Sequence, residues 1–311
     1  MSNAILKIDD LTKQYKDKFA LNSFSIEINK GARYAIIGPN GAGKTTLIRI
    51  IMGLSDPTNG SICIFGKTDE EGLSEARKKI GTLIEYPTFY KTMSAFENLE
   101  INRKLKNIND KNRSEELLEL VGLENNKKKV KDFSLGMKQR LGIAKALMSH
   151  PEFLILDEPT NGLDPIGIID FRNLIMKLNS EGITILICSH ILKEMEEIAT
   201  NFGIIKNGKM IKQLSIDEIH NNDNICMKIN TDSPEKLSEL IAKTFELKSK
   251  INGNNVYIYN SPEDLTGGKL VKKISDIDDK INIYEFSRNT ETLEDYFKTT
   301  IGNSLEGNQN V

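Results

Sequence analysis

Gly38-Pro39-Asn40-Gly41-Ala42-Gly43-Lys44-Thr45-Thr46 is the stretch on which the reading of this chain turns. The apolar run Tyr34-Ala35-Ile36-Ile37 ahead of it reads as a buried strand, and Leu47-Ile48-Arg49-Ile50-Ile51-Met52 behind it as a helix. Strand, G-x-x-x-x-G-K-[ST] loop and helix together are the setting of a phosphate-binding loop. Its glycines let successive backbone N–H groups converge on phosphate oxygens at the positive end of a helix dipole. Lys44 is placed to reach the β- and γ-phosphates, and the Thr45 hydroxyl to ligate Mg²⁺. The chain is expected to bind a nucleotide.

Composition narrows the setting. At 311 residues there is room for one large domain and a smaller one. The 42 basic and 44 acidic residues leave a formal charge of −2, so no excess positive field favours a nucleic-acid partner. Cys63, Cys188 and Cys226 show no metal-like spacing, and buried free thiols in a reducing compartment are expected. Residues 1–10 hold no long apolar core of a signal peptide. Long apolar runs such as Ile183-Thr184-Ile185-Leu186-Ile187-Cys188 are strand length, too short for a bilayer. The expectation is a cytoplasmic chain, to which another subunit supplies any membrane spans.

Short apolar runs in residues 4–30, Ile5-Leu6-Lys7-Ile8, Phe19-Ala20-Leu21 and Phe24-Ser25-Ile26-Glu27-Ile28, predict an antiparallel β-layer broken at Asp9-Asp10 and Asn29-Lys30-Gly31. Tyr15 lies in its polar connection, where an exposed ring could stack on a flat base or simply be a turn tyrosine. After the loop helix come a turn at Asp56-Pro57-Thr58-Asn59-Gly60, a strand over 61–66, a helix over 73–79 and a strand over 80–84. Residues 94–150 turn helical and charged, an insertion between halves of an α/β core, with Leu117, Leu118, Leu120 and Val121 as its apolar stripe. The core resumes with Phe153-Leu154-Ile155-Leu156, helix 165–180, strand 183–188, helix 191–200 and a hairpin at Asn207-Gly208. Such alternation implies a parallel sheet covered on both faces. From about residue 216 the pattern restarts with strands at 225–229, 256–259 and 281–286 and helices at 234–245, 269–274 and 292–299. A small α+β domain, ferredoxin-like in order, is expected there, with 303–311 as a disordered tail.

Three further features carry chemistry. Phe153-Leu154-Ile155-Leu156-Asp157-Glu158-Pro159 ends an apolar strand in carboxylates, with Asp157 able to hold Mg²⁺ and Glu158 to position the attacking water. Phe133-Ser134-Leu135-Gly136-Met137-Lys138-Gln139-Arg140 opens a helix expected over 137–149, with Ser134 or Gly136 near its cap. It offers a hydroxyl and backbone N–H groups as a second anion site. His190 follows strand 183–188, where residues leave a parallel sheet to face phosphate.

In this order and spacing, residues 3–215 resemble the nucleotide-binding subunit of an ABC transporter. The resemblance implies a P-loop NTPase fold of the α/β class: a RecA-like core with an antiparallel β-layer and a helical subdomain at about 88–150. It makes 1–215 the ATPase domain, followed by an accessory α+β domain over 216–302. Residue by residue, Tyr15 resembles the adenine-stacking aromatic, and Gly38, Pro39, Asn40, Gly41, Ala42, Gly43, Lys44, Thr45 and Thr46 the Walker A loop. Ser134 and Gly136 resemble the signature that reaches the γ-phosphate held by the opposite subunit. Asp157 and Glu158 resemble Walker B and its catalytic carboxylate, Asn161-Gly162-Leu163-Asp164 the D-loop, and His190 the switch histidine. His150 and His220 match nothing.

Two departures stand out. The usual Leu-Ser-Gly-Gly-Gln reads Phe133-Ser134-Leu135-Gly136-Met137, and the usual metal-side glutamine is Glu85. Both, with the ending Thr292-Leu293-Glu294-Asp295-Tyr296-Phe297, resemble the bacitracin-resistance and lantibiotic self-protection subgroup. Implied are ATP and Mg²⁺ (at Thr45, Asp157 and Glu85), a head-to-tail dimer with a nucleotide between copies, and integral membrane permease partners at the inner face of the cell membrane. The C-terminal domain is expected to stabilise or regulate that dimer. A general drug, lipid or sodium exporter, or a soluble ABC ATPase working outside transport, remain as alternatives.

Overall fold

The structure is a computed structural model, and it describes residues 3–84, 87–124, 127–221, 225–258, 267–278, 281–290 and 293. The chain divides into two compact units, Met1–Leu214 and Ser215–Val311. In chain order the first holds β1 (Ala4–Tyr15), β2 (Lys18–Asn29), β3 (Arg33–Ile37), α1 (Lys44–Ile51), β4 (Asn59–Ile64), α2 (Glu70–Lys78), β5 (Ile80–Leu83), α3 (Ala95–Leu105), α4 (Arg113–Leu120), α5 (Leu135–Ala146), β6 (Phe153–Asp157), α6 (Pro165–Ser180), β7 (Thr184–Ser189), α7 (Leu192–Ile198), β8 (Asn201–Lys206) and β9 (Lys209–Ser215).

Two sheets form the frame. One runs β5-β6-β7-β3-β8-β9, and from β5 through β8 its neighbours pair in parallel. Its central strands are apolar because both faces are covered: all five residues of β6 and all six of β7 are buried. Each buried Leu, Ile or Phe among them contributes roughly 1.5–3 kcal/mol of transfer free energy. The β8–β9 turn places Asn207 at φ 50° and Gly208 at φ 75°, the paired left-handed geometry that suits a tight hairpin. The second sheet, β2-β1-β4, is antiparallel. Here the expected break at Asp9-Asp10 is instead a bulge inside one long strand. Asp10 sits at φ 50°, its N–H is taken by Ser25 Oγ at 2.9 Å, and the β1–β2 register shifts between Ile8 and Leu11.

The helical insertion is α3, α4 and α5. Helix α3 starts on a capping box, Ser94 accepting from the Glu97 N–H while Glu97 accepts from the Ser94 N–H. Leu117, Leu118 and Val121 are buried as its stripe, and Leu120 is half-buried. Glu100 joins α3 to α4, gripping Arg103 with both oxygens and accepting from Ser114 Oγ at 2.7 Å. Helix α2 begins at Glu70, earlier than the apolar residues indicate, because Asp69 caps it through the Gly72 N–H.

The second unit contains α8 (Ile216–Asn221), β10 (Ile225–Thr231), α9 (Pro234–Phe245), β11 (Ser249–Asn252), β12 (Asn255–Ile258), α10 (Gly267–Ile277) and β13 (Ile283–Thr290). Sheet order β11-β12-β10-β13, with every neighbouring pair antiparallel, is a ferredoxin-like βαββαβ arrangement. Leu237 and Ile241 of α9 and Leu270 and Ile274 of α10 close over Met227, Ile229, Val256 and Ile258. Strand β11 is absent from the sequence expectation because Ser249-Lys250-Ile251-Asn252 carries one apolar residue, itself exposed. The two-residue turn Gly253-Asn254, with Gly253 at φ 57°, is the signal that marks the hairpin. Of the expected helix 292–299 only Leu293 lies within the described residues, and the tail 303–311 lies outside them.

Among the described residues no helix is long and apolar enough to cross a membrane. Cys188 is buried and Cys63 partly exposed, both as free thiols; the side chain of Cys226 lies outside the described residues.

Candidate nucleotide site

The register of the parallel strands brings the chemistry together. Ile37 pairs with Ser189 and Asp157 with Cys188, so the carboxyl ends of β3, β6 and β7 lie side by side. The next residues along each strand are Gly38, Glu158 and His190. Three segments far apart in sequence therefore empty onto one edge of one sheet, where open α/β sheets place their ligands.

Residues 38–43 turn sharply because side chains are missing where they would collide. A Cβ on Gly38 would lie 2.3 Å from the Ile205 carbonyl oxygen, and one on Gly43 2.4 Å from that of Ala20. Gly43 adds φ 113°, a conformation that L side chains rarely adopt. Ala42 is buried, and its carbonyl accepts from the Gly208 N–H at 2.9 Å, fastening the loop to the β8–β9 turn. Pro39 and Gly38 supply carbonyls to Lys44, whose ammonium donates to them at 3.2 and 2.7 Å.

Lys44 is only 6% exposed, and its ammonium also lies 3.2 Å from Glu158 Oε1. The other Glu158 oxygen meets His190 Nδ1 at 2.8 Å. Glu158 thus bridges the loop lysine and the histidine beyond β7. It is held there by an unusual backbone: φ is 47° at a non-glycine residue, and its N–H donates to the Cys188 carbonyl at 2.8 Å. Beside this bridge Thr45 Oγ1 donates to Asp157 Oδ2 at 2.7 Å. A hydroxyl and a carboxylate this close are hard oxygen donors fitted to Mg²⁺, which is commonly held by few protein oxygens plus phosphate and water. No cluster of three or more His, Cys, Asp or Glu able to hold a metal occurs among the described residues. Cys188 takes no part: burial first, then the Asp157 charge, pushes its thiol pKa up and keeps it protonated.

A cavity of about 370 Å³ opens against the loop, lined by Tyr15, Lys18, Phe19, Ala20, Asn40, Gly41, Gly43, Lys44, Thr45, Thr46 and Glu158. Tyr15 is 49% exposed at its rim, with Lys13 Nζ 5.0 Å from the ring centroid. Phe19 belongs here too. It falls in an apolar run of the expected β-layer, yet it is 45% exposed across the turn from Tyr15, because β2 faces the solvent at that end. The signal for Lys18 and Phe19 lies outside that run, in the short turn at Lys16-Asp17, which sets the cation and the aromatic beside Tyr15.

Ser134 and Gly136 do not line this cavity. Ser134 is the N-cap of α5, accepting from the Met137 N–H at 3.2 Å. Helix α5 begins at Leu135, two residues before the expected start, because this cap closes its first turn. Asp164 is likewise a cap, accepting from the Gly167 N–H at 2.9 Å ahead of Pro165. The two capped turns touch. A Cβ on Gly162 would lie 2.2 Å from Leu135 Cδ2, and one on Gly136 3.2 Å from Leu163 Cδ2. Leu135, a departure from the usual signature glycine, is therefore seated where Gly162 leaves room. Glu85 lies outside the described residues, as does the side chain of His220; His150 is exposed at a left-handed turn after α5.

The ABC transporter family description matches residues 21–161, which contain the loop, the signature and the end of β6. Bacitracin transport ATP-binding protein BcrA of Bacillus licheniformis is 40% identical over 309 residues, covering 98% of this chain and 100% of that protein. This chain is an ABC transporter ATP-binding protein. As such it is an ATPase, with ATP as its nucleotide. The lantibiotic transport ATP-binding protein SrtF of Streptococcus pyogenes is 47% identical over 218 residues, 70% of this ABC protein and 93% of its own length. Among solved structures, a dimeric ATP-binding cassette in a post-hydrolysis state, bound to ADP and Pi, matches with a TM-score of 0.62. It is 28% identical and covers 68% of this chain and 98% of its own.

Proposed function

We propose that this ATPase drives the export or removal of a peptide antibiotic of the bacitracin or lantibiotic type, as a head-to-tail dimer beneath integral membrane permease subunits. The relatives named for bacitracin and lantibiotic transport support the substrate class. The observation that carries the mechanism is the Lys44–Glu158–His190 bridge over the phosphate loop, beside Thr45 and Asp157.

The roles follow from those contacts. Tyr15 offers its ring to the adenine, and the backbone of residues 38–46 wraps the phosphates. Lys44 leaves Glu158 to meet the β- and γ-phosphate oxygens. Glu158 then accepts a proton from the attacking water as the bond to the bridging oxygen breaks, and His190 Nδ1 holds the second carboxylate oxygen. Thr45, Asp157 and Glu85 would hold Mg²⁺, which neutralises charge developing on the phosphates. Ser134, Gly136 and Asp164 of a second copy complete the site. Their absence from the cavity lining, and the dimeric cassette among the related structures, support that reading. Residues 216–302 would stabilise or regulate the pair. Closure would pass to the permease through the segment 85–96.

The test is a deletion strain carrying either the wild-type gene or Lys44→Ala. Wild type should restore growth in bacitracin or a lantibiotic, and Lys44→Ala should not. Equal sensitivity of both strains to these peptides, with a difference towards another drug, would overturn the substrate class.

A further inference from the structure

A cavity of about 370 Å³ lies between α4 and α5 of the helical insertion and α6 of the core. Among the described residues it shares no lining member with the cavity at the phosphate loop. Leu120, Val121, Ile143, Leu163, Phe171 and Leu174 give it apolar walls. Its volume falls at the lower end of the range of about 300–1,000 Å³ found for small-molecule sites, room for one or two fused rings.

One polar side chain of the lining is buried. Gln139 is 3% exposed, and among the described residues its Oε1 has no hydrogen-bond partner. Arg140 also lines the cavity, but its guanidinium lies 3.5 Å from Asp170 Oδ2. Glu119, Asn173 and Lys177, the other polar members, are exposed. A buried acceptor without a donor has lost its bond to water and gained nothing in return. Water answers that need poorly here, because an ordered water takes about two to four polar partners. The other buried members of the lining, Val121, Ile143, Gly167 and Phe171, offer no polar side chain.

An aromatic ring bearing one N–H or O–H suits both features. Its body covers the apolar walls and packs against Phe171, and its donor meets Gln139 Oε1. We propose that this cavity binds a small aromatic molecule with a single neutral hydrogen-bond donor, of the indole or phenol class. Such an occupant touches α4, α5 and α6 together, and so favours arrangements of insertion and core in which these helices stand as they do here.

The test titrates the full chain, with its Ile and Leu methyl groups labelled for NMR, with indole and with indene. Indene has nearly the same shape but carries CH₂ in place of N–H. Indole should shift the methyl signals of Ile143 and Leu174, and should bind about 2- to 10-fold more tightly than indene, the net value of one hydrogen bond. In Gln139→Leu that preference should vanish or reverse. Leu174→Trp, which fills the cavity from α6, should abolish the indole shift at Ile143. Shifts confined to methyl groups outside this cavity, indene binding as tightly as indole to the wild type, or unchanged indole binding in Leu174→Trp would each overturn the proposal. The wild-type comparison stands even where a variant fails to fold.

Discussion

Glu158→Gln separates two things that one carboxylate does. In the structure it lies 3.2 Å from the Lys44 ammonium and 2.8 Å from His190 Nδ1, in a site where Lys44 is 6% exposed and Glu158 19%. At that separation the gross attraction to Lys44 is about 5 kcal/mol with an effective dielectric constant of about 20. Most of it is offset by the solvation each ion loses, leaving a net value of roughly 1–2 kcal/mol. ATP must draw Lys44 away from Glu158 before a phosphate oxygen can replace it. Glutamine keeps the shape and removes the charge, so Lys44 is released in advance.

Two opposite effects follow from the one substitution. ATP should bind roughly 5- to 30-fold more tightly, the net value of the broken pair. Turnover should fall about 10²- to 10⁴-fold, because the amide cannot take the water's proton. Titration with a fluorescent ATP analogue reads the first effect, and phosphate release the second. Sedimentation with ATP should show the slow variant accumulating as a dimer. Weaker ATP binding would refute the view that Glu158 competes with phosphate for Lys44. Turnover near wild type would refute its role as the base.

Thr45→Val removes the hydroxyl that meets Asp157 at 2.7 Å; hydrolysis should drop about tenfold or more and lose its response to added Mg²⁺, while ATP binding in chelator changes little. Gly43→Ala forces a side chain into φ 113° with its Cβ 2.4 Å from a backbone oxygen; thermal unfolding should show a loss of about 2–4 kcal/mol, together with loss of ATP binding. Glu100 is held down to about 2, first by its Arg103 hydrogen bond and then by Ser114. Its folded pKa lies below the unfolded one, so its contribution is complete above about pH 4.5 and fades as pH falls towards 2. Glu100→Gln should therefore cost roughly 1 kcal/mol near neutrality, in chemical denaturation, and the deficit should shrink across that window.

The parts of the molecule legible in the sequence are those whose signal is local. Strand β6 is buried throughout and apolar up to its terminal Asp157, and the phosphate loop is spelled in consecutive residues. Helix α6 was readable end to end because Asp164 caps it, Pro165 opens it and its apolar residues recur at helical spacing. What was not legible depends on pairing between distant residues. The bulge at Asp10 needs Ser25 across the sheet, and exposed β11 is a strand only because β12 lies beside it. Nothing in the run Phe19-Ala20-Leu21 says that Phe19 faces out while Leu21 is fully buried; residues two apart share a face of a regular strand, and here the register against β1 shifts between Lys13 and Gln14. The Lys44–Glu158–His190 bridge is of the same kind, since it exists only once β3, β6 and β7 are aligned.

The signature turn and the phosphate loop occur in one chain, yet Ser134 and Gly136 do not line the cavity at residues 38–46. Ser134 and Asp164 each spend a side-chain oxygen on capping a helix, and Leu135 and Leu163 lock the two turns together through Gly162 and Gly136. The turns at 134–137 and 162–167 are thereby braced against each other, and neither is a free flap that could fold back onto residues 38–46. On the proposed shared site, such a braced turn would serve the phosphate loop of another copy. If so, Ser134→Ala should leave ATP affinity of the dilute monomer unchanged and weaken ATP-dependent dimerisation at least several-fold, because a neutral hydroxyl contact to a charged phosphate is worth about 1–2 kcal/mol. Loss of monomer affinity would place Ser134 in its own chain's site and break the argument for a shared one.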